Sequence, residues 1–224
     1  MPLVPPYIAS LQPYKPGKPI QEVQREFGLT NIVKLASNEN PLGMSPLARD
    51  ALQKEIAELG RYPDANGFEL KAALSARYDV PADWITLGNG SNDILELAAR
   101  ALVEPGQGVI YAQHSFAVYA LAAQEVGARA IEVPARDYGH DLDAMAAAIT
   151  PDTRLIFIAN PNNPTGSFLK RDELEQLESL ALARDIAIVS DEVFSDYRWS
   201  SSRQQVTTLA GDRRALTFSM SGLS

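Results

Sequence analysis

Three short segments of the sequence carry residue types that could together bind a phosphorylated ligand. The first, Gly88–Asp93 (GNGSND), has two glycines that allow a tight turn, and its Ser91 and Asn92 can donate hydrogen bonds beside the free N–H groups of a helix start. The helix dipole adds about 0.3–1 kcal/mol for a bound anion. The segment therefore predicts a phosphate site, although a capped helix after a tight turn fits it equally well.

The other two segments place amides and a carboxylate after predicted strands. In Asn160–Gly166 (NPNNPTG), each Asn-Pro step favours extended backbone and a fixed direction for the amides of Asn160 and Asn163, although this composition also fits an ordinary loop. The bond between Asn163 and Pro164 could be cis. Asp191 follows an apolar run, where a buried carboxylate is costly unless a positive charge or loop amides face it.

Alternating strands and helices must position these segments. Short apolar runs separated by helices predict a mainly parallel sheet covered on both faces, which is a three-layer α/β/α sandwich. The predicted strands are Trp84–Leu87, Val109–Ala112, Arg129–Val133, Arg154–Ala159, Ile186–Ser190 and Ala215–Ser219. The predicted helices are Ile20–Phe27, Pro46–Leu59, Phe68–Tyr78, Asn92–Val103, Ala117–Val126, Leu142–Ile149 and Arg171–Arg184.

Ligands of open α/β sheets gather beyond the carboxyl ends of the strands. Three neighbouring strand ends would thus supply a phosphate cradle, a rigid amide and a buried carboxylate. A phosphorylated ligand with a protonated ring nitrogen satisfies all three.

The first 35 residues differ from the rest of the chain. Six prolines between Pro2 and Pro19 prevent a long helix there, while Tyr7, Ile8 and Tyr14 offer apolar anchors. We therefore expect a proline-rich N-terminal arm over residues 1–35 that docks onto other structure, followed by one large domain over residues 36–224.

Composition excludes several classes of protein. The chain has 224 residues, 46% of them hydrophobic and 21% charged, which is typical of globular proteins rather than disordered ones. A net charge of −8 disfavours nucleic acids and anionic membranes as partners. The absence of cysteine excludes disulfides and thiolate chemistry, and two separated histidines do not predict a metal site. With neither a signal peptide nor a membrane-spanning run in the sequence, we expect a cytoplasmic protein.

The order and spacing of five motifs resemble the large domain of pyridoxal-phosphate-dependent aminotransferases of fold type I, class I/II, most closely the histidinol-phosphate aminotransferases. The resemblance extends over essentially the whole chain. It is most specific where NPNNPTG is followed by a strand that ends in Asp-Glu. The matching segments are Leu35–Gly43 (LASNENPLG), Arg61–Asp64 (RYPD), Thr86–Leu95 (TLGNGSNDIL), Ala159–Gly166 (ANPNNPTG) and Ser190–Phe194 (SDEVF).

The resemblance implies a bound pyridoxal 5′-phosphate and roles for individual residues. Asp191 would keep the ring nitrogen protonated, so that the ring can accept electrons when the substrate loses its α-proton. Phe116 would cover the ring face, Asn163 would hydrogen-bond the phenolic oxygen and Asp191 would face the ring nitrogen. The other implied cofactor-binding residues are Gly90, Ser91 and Asn92, which would hold the phosphate, and Ser224.

Further positions are implied outside this cofactor set. Tyr62 would reach the phosphate of a neighbouring subunit, which makes the active site shared within a homodimer, and Tyr14 and Asn38 would contact substrate. The Schiff-base lysine is expected directly after Ser224. Phe194 stands where many relatives carry a tyrosine, so a hydroxyl beside the ring oxygen is missing.

The implied activity is transfer of an amino group between an amino donor, with histidinol phosphate favoured, and a 2-oxo acid such as 2-oxoglutarate. A broad aromatic or aliphatic amino-acid aminotransferase and a β-lyase on the same scaffold remain alternatives. A non-catalytic domain that only binds the cofactor also remains open. A dinucleotide-binding module is disfavoured, because GNGSND lacks the third glycine of that fingerprint.

Overall fold

A computed structural model describes residues 3–198 and 204–222, and residues 108–220 contain a five-stranded parallel sheet. The strands lie in the order β2-β1-β3-β4-β5, and all four pairings between neighbours are parallel. Their bounds are Gly108–Ala112 (β1), Arg129–Val133 (β2), Thr153–Ala159 (β3), Ala187–Asp191 (β4) and Thr217–Met220 (β5).

Eight α-helices occur among the described residues, and the chain divides into two compact units. Residues 13–71 make up one unit, and residues 3–12 together with the described part of 72–222 make up the other. The helices are Pro6–Ala9 (α1), Ile20–Phe27 (α2), Pro46–Glu55 (α3), Phe68–Tyr78 (α4), Ser91–Leu102 (α5), Val118–Glu125 (α6), Leu142–Ala147 (α7) and Arg171–Arg184 (α8). Two 3-10 helices cover Ile56–Glu58 and Ala82–Trp84.

The sheet has a separate hydrophobic core on each face. Because successive side chains of a strand point to opposite faces, β4 sends Val189 to one core and Ile188 to the other. The first core contains Leu95 of α5 and Tyr119 of α6, and the second contains residues of α7 and α8. The predicted three-layer α/β/α sandwich is confirmed.

The predicted strand Trp84–Leu87 is wrong. Trp84 closes a 3-10 helix with its side chain 62% exposed, and residues 85–87 join no strand of the described sheet. A strand needs hydrogen bonds from a neighbouring strand, and a short apolar run gives no information about such a neighbour. The other predicted strands and helices all have counterparts, and α2, α4 and α8 have the predicted bounds.

The N-terminal helix α1 packs on α6. Gln124 of α6 donates a side-chain hydrogen bond to the carbonyl oxygen of Tyr7 (3.0 Å), and its amide lies 3.1 Å from Ser10 Oγ. Gly127 faces the ring of Tyr7, where a Cβ would approach ring carbons to 3.0 Å. Tyr7 and Ser10 therefore hold the first residues of the described chain against α6.

The unit of residues 13–71 carries α2, α3 and the first turn of α4. Helix α2 ends at Gly28, whose φ of 64° is the left-handed conformation that favours glycine at this position. Asp64 accepts hydrogen bonds from the backbone N–H groups of Phe68 (2.7 Å) and Asn66 (2.9 Å), which caps α4 and lowers the pKa of the Asp64 carboxyl.

No helix among residues 3–198 and 204–222 combines the length and the apolar character that a bilayer span needs.

Candidate active site

The three adjacent strands β3, β4 and β5 end at the same level of the sheet, so that their last residues lie side by side. Asp191 pairs with Ala159 of β3 on one side and with Met220 of β5 on the other. The pairing of β3 with β4 extends one residue further, since the Asn160 N–H donates a hydrogen bond to the Asp191 carbonyl oxygen at 2.8 Å. Asp191, predicted to follow the strand, is thus the last residue of β4 and lies between the ends of β3 and β5.

Asp191 is a partly buried carboxylate on the sheet face covered by α5 and α6. Its Oδ2 accepts a hydrogen bond from the Tyr119 hydroxyl at 2.7 Å, and its Oδ1 accepts one from the Val193 N–H at 3.3 Å. Burial raises the pKa of this carboxyl, and the two hydrogen bonds act in the opposite direction. In the part of the chain that the structure describes, no lysine, arginine or histidine forms an ion pair with it.

Tyr119 is a site residue that the sequence analysis missed. It lies on α6 with 0% exposure, and burial followed by the charge of Asp191 holds its pKa well above the usual range. The sequence contains one clue, because a tyrosine on the buried face of a helix needs a partner for its hydroxyl. The identity of that partner, 72 residues away, is visible only in the fold.

Phe116, predicted to cover the ring face of the ligand, lies beside Tyr119. The two ring centroids are 6.0 Å apart and the planes meet at 90°, so Phe116 and Asp191 share Tyr119 as a neighbour. The turn before Phe116 includes His114 with a φ of 58°, and the carbonyl oxygen of His114 accepts a hydrogen bond from Asn162 Nδ2 at 3.3 Å. The loops after β1 and β3 are thereby joined.

The loop after β3 contains cis peptide bonds at Asn160-Pro161 and Asn163-Pro164. Asn160 is fully buried and serves the fold, because its side chain accepts from Leu169 N–H and donates to the Val206 carbonyl oxygen, both at 3.0 Å. Asn163, predicted to bind the ligand, is partly buried in the turn that follows. The two asparagines of the motif therefore play different parts.

The segment Gly88–Asp93 leads into α5, whose far end connects to the start of β1, so the N-terminus of α5 lies towards the carboxyl edge of the sheet. Gly90 is the N-cap with a φ of 84°, and Ser91 and Asn92 open the helix. Asp93 turns back to accept from Asn89 N–H at 2.9 Å. A Cβ on Gly88 would lie 2.9 Å from Asp93 Cβ, so the tight turn requires glycine there. The predicted helix start is confirmed, without the strand predicted before it.

The neighbouring Glu192 has a structural role. It is 4% exposed, and its Oε1 accepts hydrogen bonds from Ser190 Oγ (2.8 Å) and Leu209 N–H (2.7 Å). Burial raises its pKa, against these hydrogen bonds.

The remaining predicted site residues lie elsewhere. Tyr14, Asn38 and Tyr62 belong to the unit of residues 13–71 and are exposed, Tyr62 completely so. Ser224, with the lysine expected after it, lies outside the described residues. Among the residues that are described, no group of three or more His, Asp or Glu could hold a metal ion.

Comparison with known proteins places this geometry in a family. A family model described as "Aminotransferase class I and II" matches residues 30–224. The chain belongs to the class I and II aminotransferases. Within this family it is 65% identical over 212 residues to "Histidinol-phosphate aminotransferase 2" of Ralstonia nicotianae, which covers 94% of this chain and 56% of that protein. It is 62% identical over 216 residues to "Histidinol-phosphate aminotransferase 1" of Cupriavidus pinatubonensis, with 96% and 57% covered.

The fold agrees with that of a solved class I and II aminotransferase. The crystal structure of histidinol-phosphate aminotransferase from Sinorhizobium meliloti in complex with pyridoxal-5′-phosphate superimposes with a TM-score of 0.77 at 24% identity. The match covers 92% of this chain and 54% of that one. The chain thus spans little more than half the length of the relatives it matches.

Proposed function

We propose that this chain is the cofactor-binding part of a pyridoxal-phosphate-dependent aminotransferase, with the cofactor domain in residues 36–224 and the arm in residues 1–35. The reaction moves an amino group between histidinol phosphate and a 2-oxo acid such as 2-oxoglutarate. The observation that carries the proposal is the Asp191 carboxylate, which lies partly buried at the carboxyl edge of the sheet without an ion-pair partner among the described residues.

The residues at this edge fit pyridoxal phosphate. Asp191 supplies the anion that a protonated ring nitrogen needs, and Phe116 supplies an aromatic face beside it. Gly90, Ser91 and Asn92 offer the phosphate a helix N-terminus, and Asn163 offers an amide to the phenolic oxygen. When bound, the cofactor supplies an electron sink for the electron pair left by the departing α-proton.

The remaining parts of the site are proposed from the family. Met220, the last residue of β5, pairs with Asp191, so a lysine directly after Ser224 would follow the strand next to the carboxylate. Tyr62 is fully exposed in the single chain, which supports its contact with the phosphate of a second subunit in a homodimer. Tyr14 and Asn38 are the proposed substrate contacts.

Histidinol phosphate is the proposed donor because the relatives at 65% and 62% identity carry that substrate in their names. The test uses the purified protein in its natural full length, with pyridoxal phosphate and 2-oxoglutarate, and measures glutamate formation. We expect kcat/KM for histidinol phosphate to exceed that for phenylalanine and methionine by about 100-fold, since a phosphate held by charged groups adds several kcal/mol.

Two variants connect this activity to Asp191. Asp191→Asn keeps the side-chain shape and removes the charge, so we expect kcat to fall by about 100-fold or more. Asp196→Asn, at an exposed position in the same loop, is the matched control and should retain activity. Equal activity of Asp191→Asn and the wild type would contradict the proposed role, and release of ammonia and pyruvate without glutamate would favour the β-lyase.

A further inference from the structure

The hydroxyl of Tyr119 is held in place by packing on three sides of its ring. The Phe157 ring stacks on it with centroids 4.9 Å apart and planes at 11°, and Phe116 and Tyr111 contact it edge-on at 6.0 and 6.5 Å. The side chain is fully buried in the core beneath α5 and α6. A ring fixed in this way gives its hydroxyl a single direction, which is towards Asp191.

The two oxygens of Asp191 are not equivalent. Among the described residues, Oδ2 accepts the short hydrogen bond from Tyr119 at 2.7 Å, and Oδ1 accepts a long one from Val193 N–H at 3.3 Å. A carboxylate oxygen can accept more than one hydrogen bond. Both oxygens could accept a further donor, but Oδ1, whose hydrogen bond is the longer and weaker one, is the better placed to accept a strong bond from a charged donor.

We propose that Tyr119 is a positioning residue, whose hydroxyl holds Oδ2 of Asp191 so that Oδ1 is presented to the ring N–H of pyridoxal phosphate. The inference rests on the proposed function. Tyr119 does not itself touch the reacting atoms. It fixes the rotamer of Asp191 and favours the charged carboxylate, because a hydrogen bond from a buried hydroxyl stabilises the anion more than the acid.

The decisive measurement compares two ligands that differ at one atom. Pyridoxal phosphate and its 1-deaza analogue, in which C–H replaces the ring nitrogen, have the same phosphate and aldehyde. A group that acts through Asp191 affects only the ligand with the nitrogen, while a group that merely shapes the core affects both. Equilibrium dissociation constants are measured with the natural full-length protein stripped of cofactor.

Tyr119→Phe keeps the packed ring and removes only the hydroxyl. We expect it to weaken pyridoxal phosphate binding by about 10-fold and binding of the deaza analogue by less than about 2-fold, because a hydrogen bond to a charged group is worth about 1.5–3 kcal/mol. Tyr111→Phe is the matched control, a buried tyrosine in the same core that packs edge-on against Tyr119, while the hydroxyl bonded to Asp191 is that of Tyr119. It should change neither constant by more than about 2-fold.

Equal losses for both ligands in Tyr119→Phe, or no loss for either, would overturn the positioning role. Tyr119→His gives a second measurement, since it keeps an aromatic ring with an N–H donor. We expect it to retain at least part of the preference for pyridoxal phosphate, and a complete loss of preference in a folded Tyr119→His protein would also overturn the role. If the wild type itself binds the two ligands equally, the assignment of Asp191 in the proposed function fails as well, which distinguishes the two failures.

Discussion

Asn162 donates a hydrogen bond from its side-chain amide to the carbonyl oxygen of His114 at 3.3 Å, which joins the loops that follow β3 and β1. The same amide nitrogen lies 2.9 Å from Thr165 Oγ1, so one buried side chain braces both its own turn and the turn that leads to Phe116. These two turns carry two of the proposed cofactor contacts, Asn163 and Phe116. This hydrogen bond links the two turns directly.

The first prediction concerns Asn162→Ala. The substitution leaves the His114 carbonyl oxygen without its donor and creates space in a buried turn, so we expect a loss of about 1–3 kcal/mol in the free energy of unfolding. Asn92→Ala, at an exposed position in the first turn of α5, is the control and should stay within about 0.5 kcal/mol. Urea titration of the cofactor-free protein measures both, and equal stabilities would contradict the bracing role.

Local patterns in the sequence were sufficient for most of the fold. Helix α8, Arg171–Arg184, and strand β2, Arg129–Val133, have the predicted bounds, because the repeat of apolar side chains within one element sets its type and length. The parallel sheet followed from apolar runs such as RLIFIA, which is buried on both faces within β3. The segment after Trp84 failed because strand formation depends on a partner elsewhere in the chain.

The candidate site was predictable only where a motif was continuous. Asp191 and Gly90 each belong to a contiguous motif, while the Tyr119–Asp191 hydrogen bond joins positions 72 residues apart. The sequence of NPNNPTG likewise did not show that Asn160 is structural while Asn163 is the proposed ligand contact, since the hydrogen bonds that hold Asn160 come from Leu169 and Val206. Such long-range contacts leave no periodic trace in a sequence.

The second prediction separates backbone strain from phosphate binding at Gly90. Gly90 and Gly106 have φ values of 84° and 87°, and neither would bring an added Cβ within 4 Å of another atom. Alanine at either position should cost about 1–3 kcal/mol of stability, because L-residues avoid positive φ. Only Gly90→Ala should weaken pyridoxal phosphate binding, since it alters the turn at the start of α5. Equal affinities of the two variants, measured by titration, would exclude Gly90 from the phosphate site.

The third prediction is a gain of stability from Asp191→Asn in the cofactor-free protein. Burial raises the folded-state pKa of Asp191 above its unfolded value, so the folded protein binds the proton more tightly and ionisation destabilises it. This loss of folding stability is absent below the unfolded-state pKa of about 3.9 and reaches its full size above the folded-state pKa. We therefore expect Asp191→Asn to be more stable than the wild type at pH 7 and equal to it near pH 3. Thermal unfolding across this range tests the sign, and a less stable variant at pH 7 would contradict it.

The fourth prediction concerns acid sensitivity from His140, whose buried Nε2 lies 2.9 Å from the carbonyl oxygen of Ala159. Burial lowers its pKa, so the unfolded chain takes up a proton that the folded protein excludes, and stability falls as pH drops below the unfolded pKa of about 6.5. We expect His140→Gln to lose less stability than the wild type between pH 7.5 and about pH 5.5. The exposed His114→Gln is the control and should follow the wild type. If His140→Gln also parallels the wild type in urea titrations at both pH values, protonation of this buried ring does not govern the acid response.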